Sequence, residues 1–124
     1  MTLKSLMIIA MLSSIAVPAS ALTQAEIKQC NAMAASFSAK KAELTKAKKA
    51  LEEKAAATEL AGEEWEAAEQ EKLFSSEAAQ KASDTKAHWT TLKSEFAKDQ
   101  MALQSKLQML NTDVAAYNQK CATK

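Results

Sequence analysis

The sequence predicts an all-α fold: an antiparallel two-helix coiled-coil hairpin with long helices, closed near its open end by a disulfide. Three observations lead there. The chain has one glycine and one proline, Gly62 and Pro18, so turn chemistry is almost absent beyond the first residues. Alanine supplies 23 of residues 22–124, with Lys, Glu, Gln and Leu filling much of the rest, and these are the strongest helix formers. Large apolar residues recur every seven positions in both halves, and the only two cysteines, Cys30 and Cys121, bracket ninety residues between those halves.

Residues 1–21 read as a cleavable signal peptide. Lys4 supplies a positive start, and Leu6–Val17 is apolar except for Ser13 and Ser14. Pro18 breaks the helix before the small-x-small site Ala19-Ser20-Ala21, which predicts cleavage after Ala21. The apolar run is shorter than the about 20 residues a spanning helix needs. An uncleaved anchor is the competing reading. Export to an oxidising compartment makes one disulfide between Cys30 and Cys121 the simplest fate of the two cysteines, against free or intermolecular thiols.

The hairpin is expected over residues 22–124, with helix 1 at about 23–74, a turn at about 75–76 and helix 2 at about 77–121. Thr23-Gln24-Ala25-Glu26 is a capping box, and Leu22 and Ile27 are placed for a hydrophobic staple, so helix 1 starts at Thr23. An intramolecular bridge needs Cα atoms within about 7 Å. Three helices running up, down and up would leave the cysteines some 45 Å apart at about 1.5 Å per residue. The helix count is therefore even, and two helices need only one turn. Its expected midpoint falls on Ser75 and Ser76, where serine is a good N-cap and Glu77 suits the N-terminal end of a helix dipole. Ser83-Asp84-Thr85 is the second turn candidate.

The seam of helix 1 is expected in the column Cys30, Phe37, Leu44, Leu51, Thr58 and Trp65, and that of helix 2 in Trp89, Phe96, Leu103, Leu110 and Tyr117. With the disulfide setting a rule that paired residue numbers sum to 151, Phe37 faces Val114 and Leu44 faces Leu107. Intervening layers set Ala34 against Tyr117, Ala55 against Phe96 and Gly62 against Trp89. Gly62 is then the small residue that makes room for an indole; a kink or second turn is the alternative. The same rule places Lys41 against Leu110 and Lys48 against Leu103, where lysine stems lie on leucines with their ammonium groups in water. The other reading is that these polar layers fix register, or that the middle splays and offers its leucines to a partner helix.

So narrow an apolar stripe encloses little core, and reinforcement is expected. Closing a loop of about 92 residues contributes roughly 4–5 kcal/mol in the chain-entropy account. A homodimer forming a four-helix bundle is the alternative reinforcement.

Function is bounded mainly by exclusion. Residues 22–124 hold 15 lysines and 15 acids with no arginine, which argues against a nucleic-acid partner. His88 is the only histidine, with Asp84 one turn before it; no Gly-rich phosphate loop, metal-spaced cysteine cluster or triad pattern is present. No catalytic residue, metal or cofactor is predicted, and a two-helix rod offers no concave pocket. Charge is segregated: residues 40–54 hold six lysines and three acids, residues 59–71 six glutamates and no lysine. These blocks read first as solvated faces, and second as surfaces for a charged partner. The expectation is a periplasmic or secreted, non-enzymatic envelope protein acting as a structural or protein-interaction module, with no transmembrane segment in the mature chain and a protein partner.

In kind, the chain resembles small periplasmic helical-hairpin proteins, including the arms of envelope chaperones that hold unfolded outer-membrane proteins. It lacks the strand-forming segment that trimerises that family. Leu22-Thr23-Gln24-Ala25-Glu26 is similar to the Leu-Thr-x-x-Gln motif of another periplasmic chaperone family, but carries Glu26 at the Gln position. These likenesses imply a holdase-type chaperone as the alternative function. Phage spanin subunits share an apolar N-terminal segment and a periplasmic coiled coil, which implies a second alternative with residues 1–21 kept as an anchor.

Overall fold

The computed structural model describes residues 22–122. The expected signal peptide, residues 1–21, and the expected cleavage after Ala21 lie outside the described residues. Two long helices, α1 (Gln24–Glu71) and α2 (Ser76–Tyr117), pack against each other as an antiparallel hairpin. At 1.5 Å per residue they extend about 72 and 63 Å.

Thr23 opens α1 from an extended conformation. Its Oγ1 accepts the Glu26 N–H at 3.3 Å, and the Glu26 carboxylate accepts the Thr23 N–H at 2.9 Å. Two of the otherwise orphaned N-terminal donors are thereby satisfied.

α1 stops at Glu71, three residues before the expected end, and residues 72–75 make the reversal. Ser75 is the N-cap of α2: it is extended, and its Oγ accepts the Ala78 N–H at 3.0 Å. Ser76 is already the first residue of that helix. The cap explains the shift from the expected 75–76. A residue whose hydroxyl satisfies a first-turn donor must sit at the end of the connection, so the crossing falls to Lys72, Leu73 and Phe74. The Phe74 N–H donates to the Glu71 carbonyl at 3.0 Å. No described residue has a positive φ, so the reversal uses no left-handed residue. Ser83-Asp84-Thr85 lies inside α2.

The open end is closed by Cys30 and Cys121, whose Cα atoms are 5.8 Å apart. Cys121 sits in a π-helical turn, Asn118–Ala122, that follows α2.

Cross-strand polar contacts report the register independently of the disulfide. Lys40–Asp113 and Lys54–Asp99 have numbers summing to 153, while Glu43–Lys106 and Gln29–Lys120 sum to 149. They straddle the 151 of the cysteine pair, as contacts flanking a seam on both sides should.

The core is slight. Among the described residues only Cys30, Ala61, Ala68 and Ala82 are buried. The three alanines lie toward the turn, where side chains this small let the helices approach closely. Half-buried residues complete a continuous 3–4 spaced seam in α1, from Cys30 through Met33, Phe37, Lys40, Leu44, Ala47, Leu51, Lys54 and Thr58 to Trp65.

This corrects the expected intervening column. Ala34, Lys41 and Lys48 are exposed, and the positions one residue earlier face α2 instead. Either choice satisfies a 3–4 pattern, and the cross-strand charges decide between them. Lys40 and Lys54 each meet an aspartate across the seam, which Lys41 and Lys48 do not. Toward the turn the seam widens, with Ala55 and Gly62 half-buried beside Lys54 and Ala61. A straight helix drifts by about 20° per heptad, which brings this second column in.

Candidate interaction surface

Phe37, Leu44, Leu51, Trp65, Trp89, Phe96, Leu103, Leu107, Leu110, Val114 and Tyr117 are all half-buried along the hairpin seam. Near the disulfide, the rings of Phe37 and Tyr117 meet edge to face, 5.5 Å between centroids.

The densest cluster is toward the turn. Trp65 and Trp89 stack with centroids 4.7 Å apart and planes 19° apart. Lys93 Nζ lies 4.2 Å from the Trp89 ring centre, and Lys86 Nζ lies 5.5 Å from that of Trp65. Each ammonium faces an indole's negative π-cloud. A Cβ added to Gly62 would stand 3.1 Å from Trp89 Nε1, so the indole occupies the space a side chain would need. The Trp65 Nε1 is buried without a well-formed hydrogen bond.

Substituting Gly62 tests this packing. Alanine gains about 1 kcal/mol of helix propensity but presses on the indole, so a small net change is expected. Valine must displace the ring, and Gly62→Val should lower stability by roughly 1–3 kcal/mol. Chemical denaturation of both variants measures the difference. A Val variant as stable as the parent would show that Trp89 does not need the gap.

Three carboxylate–lysine contacts shift their groups. The hydrogen bond from Lys106, then its charge, holds the Glu43 carboxyl below its usual 4.5. The hydrogen bond from Lys72 does the same for Glu69, aided by the lysine's charge and the nearby Trp65 N–H. The hydrogen bond to Asp99, reinforced by the charges of Asp99 and Glu95, raises Lys54 above 10.5 despite partial desolvation. The two carboxylates therefore contribute their stability fully above pH 4.5 and lose it as pH falls through their lowered folded values. Lys54 contributes fully below 10.5 and loses its share as pH rises through its raised value. A melting temperature that is level between these limits and declines modestly outside them is the expected profile. A midpoint that rises on acidification below 4.5 would contradict it.

Among the described residues, no group of three or more His, Cys, Asp and Glu is placed to hold a metal ion. His88 is exposed, and Asp84 accepts a hydrogen bond from Gln80 at 2.8 Å. Two shallow surface depressions, one beside Ile27 and one beside Met109, are open to solvent. No helix of the described residues is long and apolar enough to cross a membrane.

The surface instead displays apolar side chains on helix faces and at the tip. Leu73 and Phe74, in the reversal, are 88% and 81% exposed, and Leu60 on α1 is 60% exposed. Met101 and Met109 are exposed on α2. Sequence reasoning passed over Leu73 and Phe74 because the adjacent serines carried the turn signal. The unusual feature was two large apolar residues where turns favour polar ones.

Comparison of the chain with protein-family models, curated proteins and solved structures finds no match.

Proposed function

We propose that this chain is an exported, non-enzymatic coiled-coil protein of the bacterial envelope, acting as a structural or protein-interaction module through a helix face. The observation that carries this reading is the distribution of apolar side chains on a rod with a slight core. Leu60, Met101 and Met109 stand on outward surfaces, 60%, 62% and 63% exposed. Exposed apolar groups on so thin a rod are the material of an interface. The signal-like residues 1–21 and the disulfide support export, because such bonds persist in oxidising compartments.

Photo-crosslinkers placed at Leu60, Met101 and Met109 in the native envelope test the reading. Capture of a defined partner from the α1 position or from the two α2 positions supports it; an absence of specific adducts from all three positions counts against it.

A holdase-type chaperone is the second reading, and the exposed Leu73–Phe74 tip favours it. A client-holding tip would suppress aggregation of an unfolded substrate at stoichiometric amounts, and Leu73→Ser with Phe74→Ser would abolish that suppression while leaving the melting temperature unchanged. No suppression by the parent protein removes this alternative.

A further inference from the structure

We infer that the partner of the outer face of α1 is a second copy of this chain, docked antiparallel along the same helix. The inference rests on the interaction-module reading and names the partner of one face.

Its first support is the pattern of unpaired charge. Across the seam, lysines find acids: Lys40 meets Asp113, Lys54 meets Asp99 and Glu95, and Lys106 meets Glu43. On the outward surface the pairing fails. Of the six glutamates in residues 59–71, only Glu69 has an ion pair among the described residues, leaving Glu59, Glu63, Glu64, Glu66 and Glu71 without one. In the lysine block, Lys41, Lys46 and Lys49 are likewise without an intrachain ion pair. Like charges three and four residues apart on a helix repel, and Glu59, Glu63, Glu66 and Glu69 follow one another at those spacings, so the glutamate block weakens α1 where it stands. The lysine block is its complement.

An antiparallel two-fold pairing of α1 with its copy lays each lysine block on the partner's glutamate block, twice by symmetry. A parallel pairing in register would set like on like.

The second support is the shape of the face. Ala42, Lys46, Lys49, Glu53, Ala56, Leu60, Glu63 and Ala67 are all exposed and repeat at alternating steps of three and four, away from the hairpin seam. That spacing is what a further helix–helix contact requires. In the register that interdigitates this stripe and superposes the blocks, Lys46 lies opposite Glu63 of the second copy. Ala42 lies opposite Ala67, and Leu60 receives the methylene stem of Lys49. Leu60 thereby gains the cover that the hairpin does not supply.

The geometry makes the test unambiguous. Lys46 and Glu63 are seventeen residues apart on one helix, about 25 Å, so a zero-length amide crosslink between them cannot form within a single copy. The experiment mixes unlabelled and isotope-labelled mature protein, its disulfide intact, treats it with a carbodiimide and maps the crosslinks by mass spectrometry. Sedimentation at low and high salt gives the dimer affinity. A mixed-isotope Lys46–Glu63 crosslink is expected, with a dimer that weakens as salt screens the pairing. Lys46→Glu should raise the dimer Kd roughly tenfold, because two symmetry-related pairs are lost and replaced by repulsion. Lys46→Glu combined with Glu63→Lys should restore it. The monomer's helicity and melting temperature report that each variant is folded. A protein that stays monomeric at its highest soluble concentration overturns the inference. So does a dimer indifferent to Lys46→Glu, or one crosslinked through the hairpin seam or α2. Those failures leave the wider reading standing, since the envelope crosslinking from Met101 and Met109 tests it separately.

Discussion

Replacing Cys30 with serine, or reducing the Cys30–Cys121 bond, should lower the thermal midpoint more than any other single change. The hairpin buries only four of its described residues, so little holds the helix ends together except this bond. Without it, the unfolded chain regains the freedom of a loop whose ends are 91 residues apart in sequence, worth roughly 4–5 kcal/mol in the chain-entropy account. For a chain of this size that corresponds to a fall on the order of 20–30 °C. Fraying should begin at the open end, because the turn end keeps the Trp65–Trp89 stack and the buried alanines. Circular dichroism melts with and without reductant measure the shift. Coincident curves would mean that the seam alone holds the rod, and the disulfide's role would have to be abandoned.

Trp89→Ala should produce the second largest loss. One indole makes three separate contributions: it stacks on Trp65, receives Lys93 on its face and fills the space beside Gly62. Truncation removes all three and leaves a gap that the stiff, long helices close poorly. A loss of about 3 kcal/mol is expected, at the low end for a large aromatic because Trp89 is half-buried rather than enclosed. Trp89→Phe keeps a ring on Trp65 and should recover a good part of it. Denaturant unfolding of the two variants gives the comparison, with near-ultraviolet circular dichroism following the indole pair. Equal stability of the Ala variant and the parent would show that the cluster is incidental.

These two effects differ in how far they were legible beforehand. The cysteine pair dictated an even helix count and a register, and the structure has two helices with polar contacts straddling that register. The approach of Gly62 to Trp89 follows from the same rule, and the structure places them 3.1 Å apart by the glycine's missing Cβ. The stack of Trp65 on Trp89 did not follow. Their numbers sum to 154, so the side chains must lean along the helices to meet, and a pairing rule written for Cα positions does not see that. The expected Lys41–Lys48 column gave way to the Lys40–Lys54 column for a related reason. Both repeat every seven residues, and only the aspartates across the seam distinguish them.

What the sequence by itself determined is what depends on local chemistry and covalent connection: helical content, the capping box at Thr23, a serine-marked turn near Ser75 and Ser76, and a hairpin closed by its two cysteines. The tertiary structure decided which lysines join the seam, where the chain crosses between helices and which side chains are left facing outward. The physical reason is that a helix is made by contacts three and four residues apart, whereas its rotation about its own axis is chosen by a partner. Turning α1 by a fraction of a turn leaves every backbone hydrogen bond intact while changing which face is offered to water. That rotation leaves Leu60, Lys46 and Glu63 exposed, and so creates the face on which a second copy is proposed to dock.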